Sequence, residues 1–151
     1  MKEVFNKALE ELKGGNEFVV ASVVKTSGST PQKPGSKLLV KTDGKTIGTL
    51  GGGCVEGDIW FASKEILEKG GKSKYQDYVL NEDLAANDGL VCGGTMYFLI
   101  DPYRKSNVKI NEKILSEIEK GYKGEFSLAS ATIVDSKEKN EIGNKLIIKD
   151  N

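Results

Sequence analysis

The sequence predicts an α+β fold, or a loosely wound α/β one, in which a mixed sheet containing a β-hairpin is flanked by helices. Three observations lead there. Apolar residues recur at helical spacing in residues 2–13, 55–67 and 108–120. Short strand-like runs separate these stretches, and Asp43-Gly44 joins two of them as the turn of a tight hairpin would.

The first element is a helix over residues 2–13, where Val4, Phe5, Ala8 and Leu12 share a face before Gly14-Gly15 stops the pattern. Residues 18–24 are apolar on both alternating faces, as a strand covered on two sides is, so this strand belongs at the centre of the sheet. Thr26-Ser-Gly-Ser-Thr-Pro31 and Lys33-Pro-Gly35 then form a loop of turn formers and hydroxyls. Residues 37–41 and 45–49 are the two arms of the hairpin, because Asp-Gly supplies the positive φ that its turn needs. Leu50-Gly-Gly-Gly-Cys54 leads into the second helix, which aligns Val55, Ile59, Ala62 and Ile66. A weak strand at 75–80 and a strong one at 96–100 follow, and Asp101-Pro102 is expected to end the latter.

The last third echoes the first. Phe126-Ser-Leu-Ala-Ser130 resembles Phe18-Val-Val-Ala-Ser22, and Ile142-Gly-Asn-Lys-Leu-Ile-Ile-Lys-Asp150 resembles Pro34-Gly-Ser-Lys-Leu-Leu-Val-Lys-Thr42, both at an offset of 108 residues. A helix at 108–120 with Ile110, Ile114 and Ile118 precedes the second copy, as a helix precedes the first. Strands at 126–134 and 143–149 should add to the sheet. The domain division expected is a module over 1–107 and half of a second unit over 108–151, packed on the same domain.

Composition narrows the chemistry. A chain of 151 residues can bury about 70% of its unfolded surface, so it needs no staples. The 22 Lys and Arg balance the 22 Asp and Glu, leaving no global field to attract nucleic acid or an acidic membrane surface. No apolar run is long enough for a membrane helix and the start lacks a secretory signal, which makes the cytoplasm the expected location. Cys54 and Cys92 are read as free thiols. The absence of histidine removes the imidazole base, the Ser-His-Asp arrangement and most zinc sites.

Three segments remain that could carry function. Gly51, Gly52 and Gly53 sit at a helix start, where unpaired N–H groups and close backbone approach suit an anion such as phosphate, and where the positive helix end would favour the thiolate of Cys54. The same glycines would serve equally as a tight turn, with Cys54 a small packed side chain. Ser27, Gly28, Ser29 and Thr30 offer hydroxyls to a phosphate or a pterin edge, yet are also ordinary turn residues. Glu56 and Asp58 fall in the first helical turn, a position the helix dipole favours without any function. Cys92, Gly93 and Gly94 precede the strongest strand, where the glycines permit either a bulge or close approach of a ligand. Neither a Walker motif nor an early Gly-x-Gly-x-x-Gly is present.

In order and wording these segments resemble the XdhC/CoxI family, the xanthine dehydrogenase accessory proteins. The matching strings are Val24-Lys-Thr-Ser-Gly-Ser-Thr-Pro-Gln-Lys-Pro-Gly-Ser-Lys-Leu-Leu-Val40, Gly48-Thr-Leu-Gly-Gly-Gly-Cys-Val-Glu-Gly-Asp58 and Leu90-Val-Cys-Gly-Gly-Thr-Met96. The resemblance implies a chaperone rather than an enzyme. Such a protein binds molybdenum cofactor, in its molybdopterin form with or without an added nucleotide, shelters it during sulfuration and delivers it to a xanthine dehydrogenase-type or carbon monoxide dehydrogenase-type enzyme. Its expected partners are the target molybdo-enzyme, a cysteine desulfurase and a second copy of itself, with neither nucleic acid nor membrane. On this reading Gly51–Gly53 and residues 27–30 hold phosphate and pterin, Cys54 faces molybdenum or sulfur, and Cys92 is a second thiol at the same place. Longer family members continue into a Rossmann-like domain that this sequence lacks. Two other readings stand beside it: a cofactor-modifying transferase or persulfide carrier using Cys54, and an interaction module whose glycine loops are structural. Of the adjacent Trp60 and Phe61, one is a candidate for an exposed interface residue.

Overall fold

The computed structural model describes residues 1–80 and 93–150. Its elements are α1 (Lys2–Lys13), β1 (Phe18–Ser27), β2 (Lys37–Lys41), β3 (Thr46–Gly48), α2 (Gly53–Lys69), β4 (Lys74–Val79), β5 (Thr95–Tyr103), α3 (Val108–Tyr122), β6 (Leu128–Thr132) and β7 (Lys145–Lys149). Five strands form one sheet in the order β3-β2-β1-β5-β4, and β6 pairs with β7 in a second. The fold is α+β.

As its unbroken apolar run requires, β1 lies at the centre, and its first six residues are buried. The hairpin forms where Asp-Gly places it. Gly44 has φ of 84°, its N–H donates to Lys41 O at 3.0 Å, and Asp43 Oδ1 accepts from Lys45 N at 3.1 Å. Helix α2 clamps this turn, with Trp60 Nε1 donating to Gly44 O at 2.9 Å. Trp60 is thereby half-buried, while its neighbour Phe61 is 68% exposed.

Two layers cover the sheet. On one face Val55, Ile59 and Ile66 of α2 pack on Val19, Ala21, Leu38, Val40, Phe98 and Ile100, each buried aliphatic contributing about 1.5–3 kcal/mol. Arg104 ties down the far end of α2, donating to Ile66 O in its last turn at 2.5 Å and to Gly71 O just beyond it at 3.1 Å. On the other face Val4, Ala8, Leu9 and Leu12 of α1 and Leu115 and Ile118 of α3 pack on Phe18, Val20, Leu39 and Tyr103. Leu128 and Ile147 from the second sheet join that cluster.

Three expectations need correction. Among the described residues every strand pair is antiparallel, so the sheet they form is not mixed: α2 carries the chain between the two edge strands β3 and β4, which are not neighbours. Strand β5 runs through Asp101-Pro102 to Tyr103. Pro102 pairs with Val19 of β1 but lies past Ile100, the last residue facing β4, where its missing N–H interrupts no second ladder. Strands β6 and β7 form their own sheet instead of extending the first. Their register also departs from the sequence echo. An offset of 108 carries the pair Val20↔Leu39 onto Leu128 and Ile147, whereas Leu128 faces Lys149. A displacement of two keeps each side chain on its own face.

Candidate functional site

The three glycine-bearing segments come from separate parts of the sequence, and the sheet draws their described portions together. The end of β1 pairs with the start of β5, Ser27 facing Thr95, which sets residues 27–30 beside Gly93 and Gly94. The approach is close. A Cβ on Gly94 would lie 2.4 Å from Ser29 O and 2.5 Å from Ser27 O, and one on Gly28 would lie 3.1 Å from Gly94 Cα. On the other side, a Cβ on Gly51 would lie 2.7 Å from Pro31 Cβ. The loop after β1 is therefore held between the lead-in to β5 and the lead-in to α2. Cys92 lies outside the described residues.

The turn into α2 is built from three consecutive positive φ values, 109° at Gly51, 76° at Gly52 and 63° at Gly53, a run that side-chain-bearing residues would adopt only under strain. Its N–H groups are largely occupied from within. Glu56 reaches back so that Oε2 accepts from Leu50 N at 3.0 Å, Gly52 N at 3.0 Å and Thr49 Oγ1 at 2.9 Å, while Thr49 Oγ1 accepts from Gly51 N at 3.0 Å. Burial pulls the Glu56 carboxyl upward, but these bonds from Leu50, Thr49 and Gly52 outweigh it and hold the group below its ordinary value. The carboxylate fills the place beside Gly51 and Gly52 that the sequence offers to a phosphate.

Further along, the helix start is open. No side chain caps α2, and the N–H groups of Gly53 and Cys54 have no acceptor among the described residues. No atom would come within 4 Å of a Cβ at Gly52 or Gly53. Cys54 is a free, exposed thiol at this end. Ser27, Gly28, Ser29, Gly53 and Gly93 are exposed, Thr30, Gly51, Gly52 and Glu56 half-buried, and Gly94 buried. The Thr30 hydroxyl donates to Gln32 O at 3.0 Å, a turn bond.

Two neighbours are not among the candidate site residues that the sequence offers. Thr49 bridges Gly51 and Glu56. Tyr78 of β4 has its hydroxyl pushed above the ordinary value by burial and by the nearby carboxylate of Asp58, with Cys54 adding to the effect. The signal for Tyr78 is strand alternation combined with register: it faces Met96, two residues after Gly94.

The arrangement offers a solvent-facing thiol, two open backbone N–H groups and two exposed serines around a rigid turn. Among the described residues no group of three or more His, Cys, Asp or Glu side chains could hold a metal ion, and no helix is long and apolar enough to cross a membrane.

Residues 11–78, which include the first two glycine-bearing segments, match the XdhC and CoxI family. A stretch of 49 residues is 43% identical to a probable xanthine dehydrogenase polypeptide of Bacillus subtilis (strain 168), covering 32% of this chain and 15% of that protein. Over 97 residues the chain is 30% identical to the uncharacterized protein YqeB of Escherichia coli (strain K12), covering 64% of this chain and 18% of that one. The chain thus spans less than a fifth of either relative. Its fold is shared with a crystal structure of a xanthine dehydrogenase from Bacillus halodurans, at a TM-score of 0.72 and 22% identity, over 97% of this chain and 42% of that one.

Proposed function

From the match of residues 11–78 to the XdhC and CoxI family we propose that the chain is an accessory protein of that family, one that binds molybdenum cofactor for a xanthine dehydrogenase-type or carbon monoxide dehydrogenase-type enzyme. It holds and protects this cargo for sulfuration and insertion. The observation that carries the reading is the exposed thiol of Cys54 at the uncapped start of α2, inside the family segment. Residues 108–151 are read as a partial second unit on the same domain, and the protein as one working in the cytoplasm, with a target molybdo-enzyme as partner.

The donor set fits the cargo in part. Cys54 supplies a soft thiolate for a metal–sulfur centre. The N–H groups of Gly53 and Cys54, with the hydroxyls of Ser27 and Ser29, are the donors left for phosphate and pterin. Gly51 and Gly52 are better read as shaping the turn, because Glu56 and Thr49 occupy their N–H groups, and the Glu56 carboxylate keeps an anion toward the Gly53 end. Gly28, Gly93 and Gly94 let the two loops meet, Thr30 stiffens the first, and Cys92 remains a candidate second thiol.

Replacing Cys54 by Ser keeps size and polarity but removes the soft ligand, so Cys54→Ser should fold as the parent does and fail to retain sulfurated cofactor on gel filtration. Cys92→Ser should lose less. Equal retention by both variants and the parent would remove the thiol from the site. The exposure of Cys54 also supports a second reading, a persulfide carrier loaded by a cysteine desulfurase. Mass spectrometry after incubation with desulfurase and cysteine separates the two: an added sulfur on Cys54 supports the carrier.

A further inference from the structure

A second cleft lies on the opposite face of the five-stranded sheet from α2. About 750 Å³ in volume, it opens between that face and the β6–β7 sheet, with Phe5 of α1 and Tyr122 at the end of α3 at its sides. The residues that meet there are related by the 108-residue echo: Ser22 and Lys37 from the first unit, Ser130 and Lys145 from the second. Two strand pairs of similar sequence thus present a lysine each to one space.

The two lysines are not equivalent. Lys145 is paired with Asp101, a carboxylate also held by the Ser73 hydroxyl at 2.6 Å. Lys37 has no carboxylate within ion-pair distance among the described residues. Its ammonium donates to Ser22 Oγ at 2.8 Å and stands 5.7 Å from the Phe5 ring centroid. Burial, with the nearby charge of Lys145, lowers its affinity for the proton, and Asp101 only partly offsets this. One cation is left without a counter-charge in a cleft whose other walls, Val20, Leu99 and Leu128, are apolar. Clefts of this size, apolar with a few convergent polar groups, are the usual form of small-molecule sites.

We propose that this cleft is a binding site for a small organic monocarboxylate, whose anionic head meets the Lys37 ammonium and Ser22 while its apolar or aromatic body lies against Phe5, Leu99 and Leu128. Lys37, Lys145 and Asp101 together carry a single positive charge, which a monoanion matches. The site is separate from the Cys54 region, since the sheet stands between them, and it does not depend on the cofactor reading.

Benzoate and its neutral analogue benzyl alcohol are the probes, titrated into the whole chain and followed by amide NMR shifts. Benzoate should saturate with a dissociation constant of about 1–10 mM, as a fragment of its size allows, with shifts confined to the segments that line the cleft, residues 1–5, 20–24, 37, 99–103, 118–134 and 145. Benzyl alcohol should bind at least about tenfold more weakly, equivalent to ~1.4 kcal/mol. Lys37→Met should weaken benzoate by about the same factor, whereas Lys33→Met, at an exposed position, should leave it unchanged. Should Lys37→Met fail to fold, the contrast between the two probes on the unaltered protein still decides. Absence of saturation, shifts outside the cleft, equal binding of acid and alcohol, or unchanged benzoate affinity in folded Lys37→Met would overturn the proposal.

Discussion

The Glu56 carboxylate closes on the loop that leads into its own helix, and the consequences can be worked out atom by atom. Leu50 is fully buried, so its N–H has no route to water and depends on Glu56 Oε2. A charged acceptor makes such bonds about twice as strong as a neutral one. Glu56→Gln should therefore lower unfolding free energy by about 1 kcal/mol near neutral pH. The sign with pH follows from a carboxyl held below its ordinary value: its contribution is fully present above the unfolded value of about 4.3 and is lost as pH falls through the folded one. Urea midpoints measured at several pH values check this. The gap between parent and Glu56→Gln should be constant above about pH 5 and narrow progressively in acid; a gap independent of pH would show that the carboxylate does not carry the turn.

At the scale of elements, the two glycines Gly94 and Gly57 should respond in opposite senses to the same substitution. Gly94 lies where two chain segments cross, and its Cβ would fall far inside contact distance of two carbonyl oxygens, Ser27 O and Ser29 O. Both belong to backbone that cannot give way cheaply, so Gly94→Ala should cost about 1–3 kcal/mol. Gly57 sits inside α2 with nothing within 4 Å of a Cβ, and Gly57→Ala should stabilise by up to about 1 kcal/mol through helix propensity. Thermal unfolding of the two variants reads both. The contrast also explains what the sequence discloses. Helix α1, the Asp43-Gly44 hairpin and the central place of β1 are legible because local periodicity and turn chemistry decide them. The end of β5 is not, because whether Pro102 breaks a strand depends on how far β4 reaches beside it. At the site, the glycine segments are visible as strings, but their meeting depends on the β1–β5 register. The occupation of the turn by Glu56 is equally hidden, since a carboxylate in the first helical turn is expected from the dipole alone.

Across the whole molecule, the two sheets differ in how firmly they are held. The central strands β1 and β5 are buried on both faces along much of their length. By contrast, β6 and β7 show no fully buried residue, and Leu146 and Ile148 on their outer side are 60% and 55% exposed. A two-stranded sheet is marginal alone, so this one depends on what joins it to the first unit. Three links are present: the half-buried Leu128 and Ile147 in the shared apolar cluster, the ion pair of Lys145 with Asp101, and Gly143, where a Cβ would come within 2.4 Å of Ser73 Oγ and 2.9 Å of Asp101 Oδ1. Native-state hydrogen exchange should accordingly find two levels of protection, with β6 and β7 opening at lower free energy than β1 and β5. The ion pair is the link that can be removed with least disturbance to packing. Lys145→Met keeps the aliphatic stem and leaves Asp101 its bond from Ser73. It should raise exchange at residues 128–132 and 145–149 by about tenfold or more, the equivalent of ~1.4 kcal/mol of local stability, while amides at 19–23 and 98–100 keep the parent rates. Equal acceleration at all four strands would mean that the second sheet unfolds only with the first, and that the ion pair contributes to a single cooperative unit rather than to a latch between two.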